Sequence, residues 1–152
     1  IRLDSSYQEA WYYGGLVNVE IGKWDDAYEF FTKSIELAPE HHLSYQMRSG
    51  VSFEHFNYKL ALEDINKAID LKDSSYYYYQ KAVILDQMDQ FEESLESVNL
   101  ALERDSTDLG SIFYKASNLV NLNRFSEGCK ELQKIRSRDP SWDLSEFDEF
   151  CK

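Results

Sequence analysis

Apolar and small residues recur every three or four positions along most of the chain. That spacing is typical of amphipathic helices, which bury one face and expose the other to water. The apolar stretches are each roughly 13 residues long and are separated by short polar segments. The pattern therefore predicts a series of helical hairpins. The run from Tyr76 to Tyr79 would favour a strand by propensity alone, but the helical period of the surrounding residues overrides it.

The hairpins repeat at an almost constant interval. Large aromatic residues recur 34, 33 and 34 positions apart, at Trp24, Tyr58, Phe91 and Phe125. Small residues keep the same register, three positions after each aromatic residue and nine positions before it: Ala27, Ala61, Ser94 and Gly128; Gly15, Ser49, Ala82 and Ala116. Two helix axes approach to about 8 to 10 Å only where side chains are small, so these positions predict the helix crossings. The aromatic residues begin the second helices and fill the wedge between successive hairpins.

The turns follow the same register. Residues that can adopt a positive φ end three of the four first helices: Gly22, Asp89 and Asn123. Phe56 occupies this place in the second hairpin and does not fit the pattern. Pro39 and Pro140 cannot continue a helix and are expected to end the second helices of the first and fourth hairpins. The connection over residues 72–75 is one residue shorter than its counterparts.

Repeats of about 34 residues with this pattern resemble tetratricopeptide repeats. In the first repeat, AWYYGGLVNVEIGKWDDAYEFFTKSIELAP carries the family's Trp, Gly, Gly, Ala and Pro in order. The resemblance implies an all-α fold, an α-solenoid of antiparallel helix pairs stacked into a right-handed superhelix. It divides the chain into the end of a preceding repeat, four repeats, and a cap or the start of a further helix, as part of a longer array: residues 1–7, 8–41, 42–74, 75–108, 109–142 and 143–152.

The resemblance also implies which residues face a ligand, because the first helices of such repeats line a concave groove. The positions best suited to binding are aromatic, apolar or acidic: Tyr12, Tyr13, Leu16, Glu20, Met47, Phe53, Glu54, Tyr76, Tyr79, Val83, Asp86, Phe113 and Tyr114. No groove position holds Lys or Arg. Such a surface complements a protein or peptide with apolar anchors and some basic residues. We therefore expect a non-enzymatic scaffold or adaptor.

Two other interpretations of these residues stay open. The aromatic side chains can instead pack against neighbouring repeats, and the chain can be a structural spacer or self-association segment of a longer array. Two subtypes of the family do not fit, however. The chaperone-docking clamp of Lys, Asn and Arg, which holds a terminal carboxylate, is replaced by Tyr12, Leu16, Met47, Tyr76 and Gln80. The asparagine ladder of sugar-transferring members is replaced by Tyr13, Met47, Gln80 and Tyr114.

One column of the repeat is basic where the family often has Leu. It holds Arg48, Lys81 and Lys115. Their methylene stems are expected to cover the hydrophobic seam, while their charged groups pair with acids such as Asp70 or Glu103.

Composition excludes several partner classes. The 16 Lys and Arg against 28 Asp and Glu leave a net charge of −12, which repels nucleic acid and anionic membrane surfaces. No apolar run is long enough to span a membrane, and the first residues lack the features of a signal peptide. Cys129 and Cys151 lie far apart without metal-type spacing, and Cys129 is expected to be a buried small hydrophobe. With no glycosylation sequon present, these features favour a reducing, cytoplasmic location.

Motifs for catalysis are not found in the sequence. It contains no HExxH, GxGxxG or GxxxxGK[ST]. His41 and His42 fall in an outer turn and are expected to face solvent rather than bind a metal. We therefore expect no catalytic residue, no cofactor and no metal. Within the tyrosine run, the register places Tyr78 in the core, with Tyr76 and Tyr79 in the groove.

Overall fold

The computed structural model of the chain describes residues 5–151, with side chains from residue 7 onward. Within that range it is entirely helical, with eight α-helices, one 3₁₀ turn and no strand. The helices are α1 (Ser5–Glu20), α2 (Trp24–Leu37), α3 (His42–Glu54), α4 (Tyr58–Leu71), α5 (Ser75–Asp86), α6 (Phe91–Arg104), α7 (Leu109–Asn121) and α8 (Phe125–Arg138). The predicted all-α fold of helix pairs is confirmed.

The helices pack as consecutive pairs within two compact units. The boundary between the units falls between residues 73 and 74. In unit 1, α1 packs on α2 and α3 packs on α4, with α2 against α3. In unit 2, α5 packs on α6 and α7 packs on α8, with α6 against α7 and α5 touching α7.

Each second helix begins at the predicted aromatic residue and has 14 residues. Helix α2 ends at Leu37, before Pro39, and α8 ends at Arg138, before Pro140, because proline cannot continue a helix. Only three residues connect α4 to α5, whereas four connect α2 to α3 and α6 to α7. The shorter connection accounts for the single 33-residue interval.

The first helix begins earlier than expected. Residues 5–7 were assigned to a preceding repeat, but they form the first turn of α1. This boundary is wrong, because the first helix begins at Ser5, three residues before the predicted start at Gln8. The remainder of that assignment, residues 1–4, lies outside the described residues.

Small residues meet in pairs inside every hairpin. The members of each pair are 12 positions apart, and all eight residues are buried: Gly15 and Ala27, Ser49 and Ala61, Ala82 and Ser94, Ala116 and Gly128. The Ser49 hydroxyl donates to the Ala61 carbonyl at 2.7 Å, and the Ser94 hydroxyl donates to the Ala82 carbonyl at 2.8 Å. A Cβ added at Gly128 would lie 3.0 Å from the Ala116 carbonyl oxygen. The predicted crossings are therefore close enough for side-chain to backbone hydrogen bonds.

All four inner turns contain a residue with positive φ. Gly22, Asp89 and Asn123 have φ values of 73°, 57° and 61°, as their residue types predict. Phe56 adopts the same conformation with φ 58°, although its residue type does not fit the pattern. Phe56 is 79% exposed, and its ring meets that of Tyr58 edge-on at 6.3 Å. The unfavourable backbone conformation nevertheless remains.

Replacing Phe56 with Gly is expected to raise the free energy of unfolding by about 1 kcal/mol, because glycine has no Cβ to oppose positive φ. Chemical denaturation monitored by circular dichroism measures the change. Gly22→Ala is the matched control: an added Cβ there meets nothing within 4 Å, so its expected loss of about 1 kcal/mol reports the backbone alone. A loss of stability in Phe56→Gly would contradict the interpretation.

The basic column forms ion pairs, although not with the expected acids. Arg48 pairs with Asp64 at 2.8 Å and Lys115 pairs with Glu131 at 3.7 Å. Both acids lie 16 positions after the base, on the second helix of the same hairpin. The proposed partners, Asp70 and Glu103, were therefore wrong for these two bases.

Cys129 and Cys151 form a disulfide. The expectation of two separate thiols, with Cys129 as a buried hydrophobe, is wrong. The segment after α8 turns back on unit 2 through a 3₁₀ turn, Ser145–Phe147, which brings the two cysteines together. Because disulfides persist in oxidising compartments, the cysteine argument for a reducing location loses its basis.

The segment over residues 142–151 does not continue as a repeat helix. Leu144 and Phe147 are buried in a core that includes Ile112 and Ile135, and the ring of Phe150 stacks on Phe125 at 5.3 Å. The sequence left open whether this segment is a cap or the start of a further helix. In the structure it packs on the core of unit 2.

Candidate functional site

The predicted site residues of unit 1 divide into core and surface. Tyr12, Leu16 and Met47 are half-buried and pack against the core of Ala27, Phe31 and Val51. Phe53 packs against Tyr58, with ring centroids 5.5 Å apart. Three members are exposed: Tyr13, Glu20 and Glu54. Much of the predicted face of unit 1 is thus engaged in holding the hairpins together.

Polar side chains of unit 1 form a buried hydrogen-bond network. The Gln8 amide donates to the Ser34 hydroxyl at 2.7 Å, and Ser34 bonds to Ser44 at 2.7 Å. His41 Nδ1 bonds to Ser44 at 2.7 Å. Burial lowers the pKa of His41, and the charge of Glu9 opposes that shift. The network joins α1, α2 and α3.

The two histidines are half-buried, so the expectation that they face solvent is wrong. The ring of His41 lies 5.0 Å from that of Tyr12. The residue directly before α3 therefore packs on α1 of the first hairpin. The repeat spacing correctly placed both histidines at the turn between α2 and α3. It could not show that Tyr12 of α1 packs on this turn. Among the described residues no group of three or more His, Cys, Asp or Glu side chains could hold a metal ion.

In unit 2 the predicted aromatic site residues and Trp142 form one continuous series of ring contacts, here called the aromatic row: Tyr76, Tyr79, Tyr114, Phe113 and Trp142. Successive ring centroids are 6.3, 5.7, 5.8 and 6.1 Å apart. These distances are typical of stacked and edge-to-face aromatic pairs. The row therefore crosses from α5 to α7 and on to the segment that follows α8.

Helix periodicity explains why these rings share a face. Tyr76, Tyr79, Val83 and Asp86 are spaced by three, four and three positions on α5, which places them on one side of the helix. Gly110 allows α7 to approach, because a Cβ there would lie 3.1 Å from the ring of Tyr79. Tyr76 is 55% exposed, while Tyr79, Val83 and Tyr114 are half-buried. The face is apolar and partly open to solvent.

The tyrosine run is placed differently from the prediction. Tyr77 is buried, whereas Tyr78 is half-buried and lies under the guanidinium of Arg104, 4.3 Å from the ring centroid. The assignment of Tyr78 to the core is therefore wrong. At the position of Tyr78, Tyr45 is also half-buried although Ile112 is buried, whereas at the position of Tyr77 both Ser44 and Ser111 are buried. The position of Tyr77 was not recognised as buried, because other repeats hold serine there and serine is polar.

Carboxylates flank the aromatic row. An open cavity of about 270 Å³ lies at the Tyr76 end, lined by Ser75, Tyr76, Tyr79, Asp105, Asp108 and Gly110. Burial raises the pKa of Tyr79, and the nearby charge of Asp108 raises it further. Burial also raises the pKa of Tyr114, to which Tyr79 and the charge of Asp86 contribute. Both tyrosines therefore lie in a negative field.

Three side chains of this site were missed from the sequence. Trp142 lies beyond the last repeat, so periodicity gave it no counterpart. Asp108 and Asp105 lie in the turn before α7, where Asp108 accepts a hydrogen bond from the Ser111 amide at 2.7 Å. An aspartate just before an apolar helix is a recognisable N-cap, so Asp108 could have been placed.

Phe113 was expected to be open to a ligand. Its ring instead packs on Trp142 and on Phe147, with centroids 6.1 and 5.8 Å away. Trp142 and Phe147 therefore cover the Phe113 end of the aromatic row. The accessible part of the row lies at Tyr76, Tyr79 and Tyr114. In residues 5–151, no helix combines the length and apolar character needed to cross a bilayer.

Comparison with known proteins supports the repeat assignment. Residues 75–108, the third predicted repeat, match the family model of the tetratricopeptide repeat. The chain is 23% identical over 152 residues to DnaJ homolog subfamily C member 7 of Mus musculus, covering 89% of this chain and 31% of that protein. It spans about a quarter to a third of the length of the curated relatives that it matches.

Solved structures share the fold. The crystal structure of YrrB, a tetratricopeptide repeat protein with an unusual peptide-binding site, matches with a TM-score of 0.82 at 18% identity, covering 93% of this chain and 72% of YrrB. The first tetratricopeptide repeat domain of Spaghetti (RPAP3), bound to the HSP90 peptide SRMEEVD, matches with a TM-score of 0.77 at 20% identity. That match covers 81% of this chain and 98% of the other. At these identities the likeness shows the fold alone.

Proposed function

We propose that this chain, whose residues 75–108 match the tetratricopeptide repeat model and whose fold is shared by a solved tetratricopeptide repeat protein, is a non-enzymatic scaffold or adaptor that binds a peptide segment of a partner protein. The aromatic row of unit 2 is the main contact surface. The observation that carries this proposal is a partly open series of tyrosine rings flanked by carboxylates. Exposed aromatic surface of this kind is typical of protein contacts, where tyrosine often contributes a large share of the binding energy.

Charge specifies the chemistry of the partner. Asp86, Asp105 and Asp108 lie beside the row, and none of the predicted groove positions carries a basic residue. A peptide with apolar or aromatic anchors and some Lys or Arg side chains complements this surface. An acidic peptide such as SRMEEVD, which the Spaghetti domain binds, does not. The uncharged residues at the clamp positions likewise argue against a ligand that is held by its terminal carboxylate.

The exposed site residues of unit 1 have a secondary role in this proposal. Tyr13, Glu20 and Glu54 are solvent-accessible on the first helices of unit 1 and form a separate contact surface of that unit. Tyr12, Leu16, Met47 and Phe53 support the helices that present them, because they pack on the core of unit 1 or on Tyr58.

A second function, as a spacer or self-association segment of an array, is favoured by one observation. Val17 on α1 is 55% exposed, whereas the residues at the same position in the other repeats, Val51, Ile84 and Asn118, are buried. A position that is buried in three repeats is thus exposed in the first, where it holds valine. Oligomer formation by the isolated chain, abolished by Val17→Asp, would favour this function.

Selection of random peptides displayed on phage, with the immobilised chain as bait, tests peptide binding directly. Selected peptides are expected to be enriched in Lys or Arg together with aromatic or aliphatic residues. Replacing both Tyr79 and Tyr114 with Ala should weaken binding of a selected peptide at least about tenfold, because each removes a buried aromatic contact. Isothermal titration calorimetry measures the affinity, and circular dichroism checks that the variant is folded.

Two further variants make the result interpretable. Tyr76→Ala removes a mainly exposed ring and is expected to weaken binding about threefold without unfolding the chain. Phe56→Gly removes an exposed aromatic side chain from a turn of unit 1 and should leave the affinity unchanged. Selection of acidic peptides, or equal affinity in wild type and in Tyr76→Ala and the double variant, would overturn the proposal.

A further inference from the structure

Asp86 is the exception in an otherwise apolar column of the repeat. The same position holds Val19, Phe53 and Val120 in the other three repeats, and each of these is half-buried. A half-buried position occupied by hydrophobic residues in three repeats does not need a charge for packing. The carboxylate of Asp86 is therefore not explained by the fold.

The environment of Asp86 is unfavourable for an unpaired carboxylate. Its Oδ1 atom is out of contact with solvent and has no hydrogen-bond partner among the described residues. Burial raises the pKa of Asp86, and the charge of Asp89 raises it further, although a hydrogen bond from Gln87 opposes the shift. An unsatisfied buried acceptor destabilises a fold, which indicates that the residue is kept for another purpose.

Tyr114 lies close enough to feel the charge of this carboxylate, and helix spacing places Tyr79 two turns before Asp86 on the same face of α5. The charge of Asp86 acts on Tyr114, and the ring of Tyr114 meets that of Tyr79 edge-on at 5.7 Å. A long side chain with an apolar stem and a cationic end fits this arrangement, because the stem packs on the rings and the cation pairs with the carboxylate. Lys and Arg are the side chains with this form.

In unit 1, a carboxylate and two tyrosine rings surround an arginine side chain of the same chain. The guanidinium of Arg48 pairs with Asp64 and lies 5.4 Å from the ring of Tyr28 and 5.9 Å from that of Tyr45. A carboxylate with two flanking tyrosines is therefore a geometry in which this protein already holds an arginine. Asp86, Tyr114 and Tyr79 supply the same groups at the surface of unit 2.

We propose that Asp86 binds one Lys or Arg side chain of the peptide ligand, with Tyr114 and Tyr79 packing along the stem of that side chain. This inference rests on the proposed function and makes Asp86 its specificity-determining residue. The ligand is then a peptide whose basic residue lies next to an apolar anchor, because the cation and the aromatic row are adjacent. Affinity should fall as salt is raised.

A double-mutant cycle tests the pairing. The probe is a phage-selected peptide and its variant in which the basic residue is replaced by norleucine. In the chain, Asp86→Val introduces the residue found at Val19 and Val120, Asp86→Asn removes the charge alone, and Glu96→Gln is the control at an exposed carboxylate of α6. Isothermal titration calorimetry at two salt concentrations gives the affinities, and thermal denaturation gives the stability of each free chain.

Each Asp86 variant is expected to bind the basic peptide at least about tenfold more weakly than wild type, and to bind it and the norleucine peptide equally. The free Asp86→Val chain should also melt at a higher temperature, because an unpaired buried acceptor is removed. Glu96→Gln should change neither quantity. Loss of binding together with a gain in stability is the combination that a purely structural role would not produce.

Failure of this inference can be told apart from failure of peptide binding. If Tyr79→Ala with Tyr114→Ala abolishes binding but Asp86→Asn and Asp86→Val leave it unchanged, the aromatic row binds peptide and Asp86 is not the anchor. If the basic peptide keeps its advantage over the norleucine peptide in both Asp86 variants, the cation binds elsewhere and the inference is overturned. If selection gives no peptide at all, both proposals fall together.

Discussion

Replacing Asp64 with Ala is expected to lower the stability of unit 1 by about 3 kcal/mol or more, because it leaves the Arg48 guanidinium buried without its counter-ion. Arg48 Nε and Nη2 each donate to Asp64 at 2.8 Å, and Nη1 donates to Thr32 Oγ1 at 3.0 Å. The two charged side chains are only 17% and 10% exposed, so water cannot replace the lost partner. The hydrogen bond and charge of Asp64 also raise the pKa of Arg48, against the effect of burial.

Urea denaturation followed by far-ultraviolet circular dichroism measures this change. Removal of both charges, in Arg48→Met with Asp64→Leu, should cost clearly less than Asp64→Ala alone, since neither charge is then left unpaired. Lys115→Met is the matched control in unit 2. Its ion pair with Glu131 is longer, at 3.7 Å, and Glu131 retains Lys134 at 2.6 Å, so the loss should be below about 1 kcal/mol. An Asp64→Ala chain as stable as wild type would show that the pair is not a structural contact.

Reduction of the Cys129–Cys151 disulfide is expected to destabilise unit 2 by about 3 kcal/mol, because a cross-link over 22 residues restricts the unfolded chain. The effect should be largely local. Leu144 and Phe147 remain buried in the core of unit 2, and Arg136 Nη2 donates to Asp148 at 2.6 Å. We therefore expect residues 142–151 to open first, while α5–α8 stay folded at moderate temperature.

Thermal denaturation with and without reductant gives the size of the effect. The double variant Cys129→Ser with Cys151→Ser should behave like the reduced chain and lose its sensitivity to reductant. Hydrogen exchange should show that faster exchange is confined to the segment after α8. Two titratable thiols in the air-oxidised protein, or identical melting under both conditions, would contradict the disulfide.

Periodicity predicted the parts of the fold that depend on angular position along a helix. The second helices begin at Trp24, Tyr58, Phe91 and Phe125 because the same register is kept through all four repeats. The helix crossings and the positive φ of Asp89 and Asn123 follow from residue type at fixed offsets. Each of these features is local, or repeats a local rule.

The contacts that the sequence did not predict depend on distances through space. Asp64 and Asp70 lie on the same helix, and only the packing of α3 on α4 decides which of them reaches Arg48. Tyr77 and Tyr78 differ by one residue, about 100° around a helix, so a small error of register exchanges core and surface. The disulfide depends on a 3₁₀ turn that has no counterpart in the repeats.

The candidate site was predicted in the same partial way. Tyr76, Tyr79, Val83, Asp86 and Tyr114 were named from the register, and in the structure they share the accessible face of unit 2. The register could not show that the same positions in unit 1 pack on Phe31. Nor could it show that Trp142 returns to cover Phe113, because Trp142 lies outside the period.

The most direct test of the central claim is a nuclear magnetic resonance titration of the isotope-labelled chain with a phage-selected peptide. If the aromatic row binds the peptide, the largest shift changes will fall on Tyr76, Tyr79, Val83, Asp86 and Tyr114, and Tyr79→Ala with Tyr114→Ala will abolish them. Changes confined to the second helices α6 and α8, or to unit 1, would place the contact elsewhere and contradict the account.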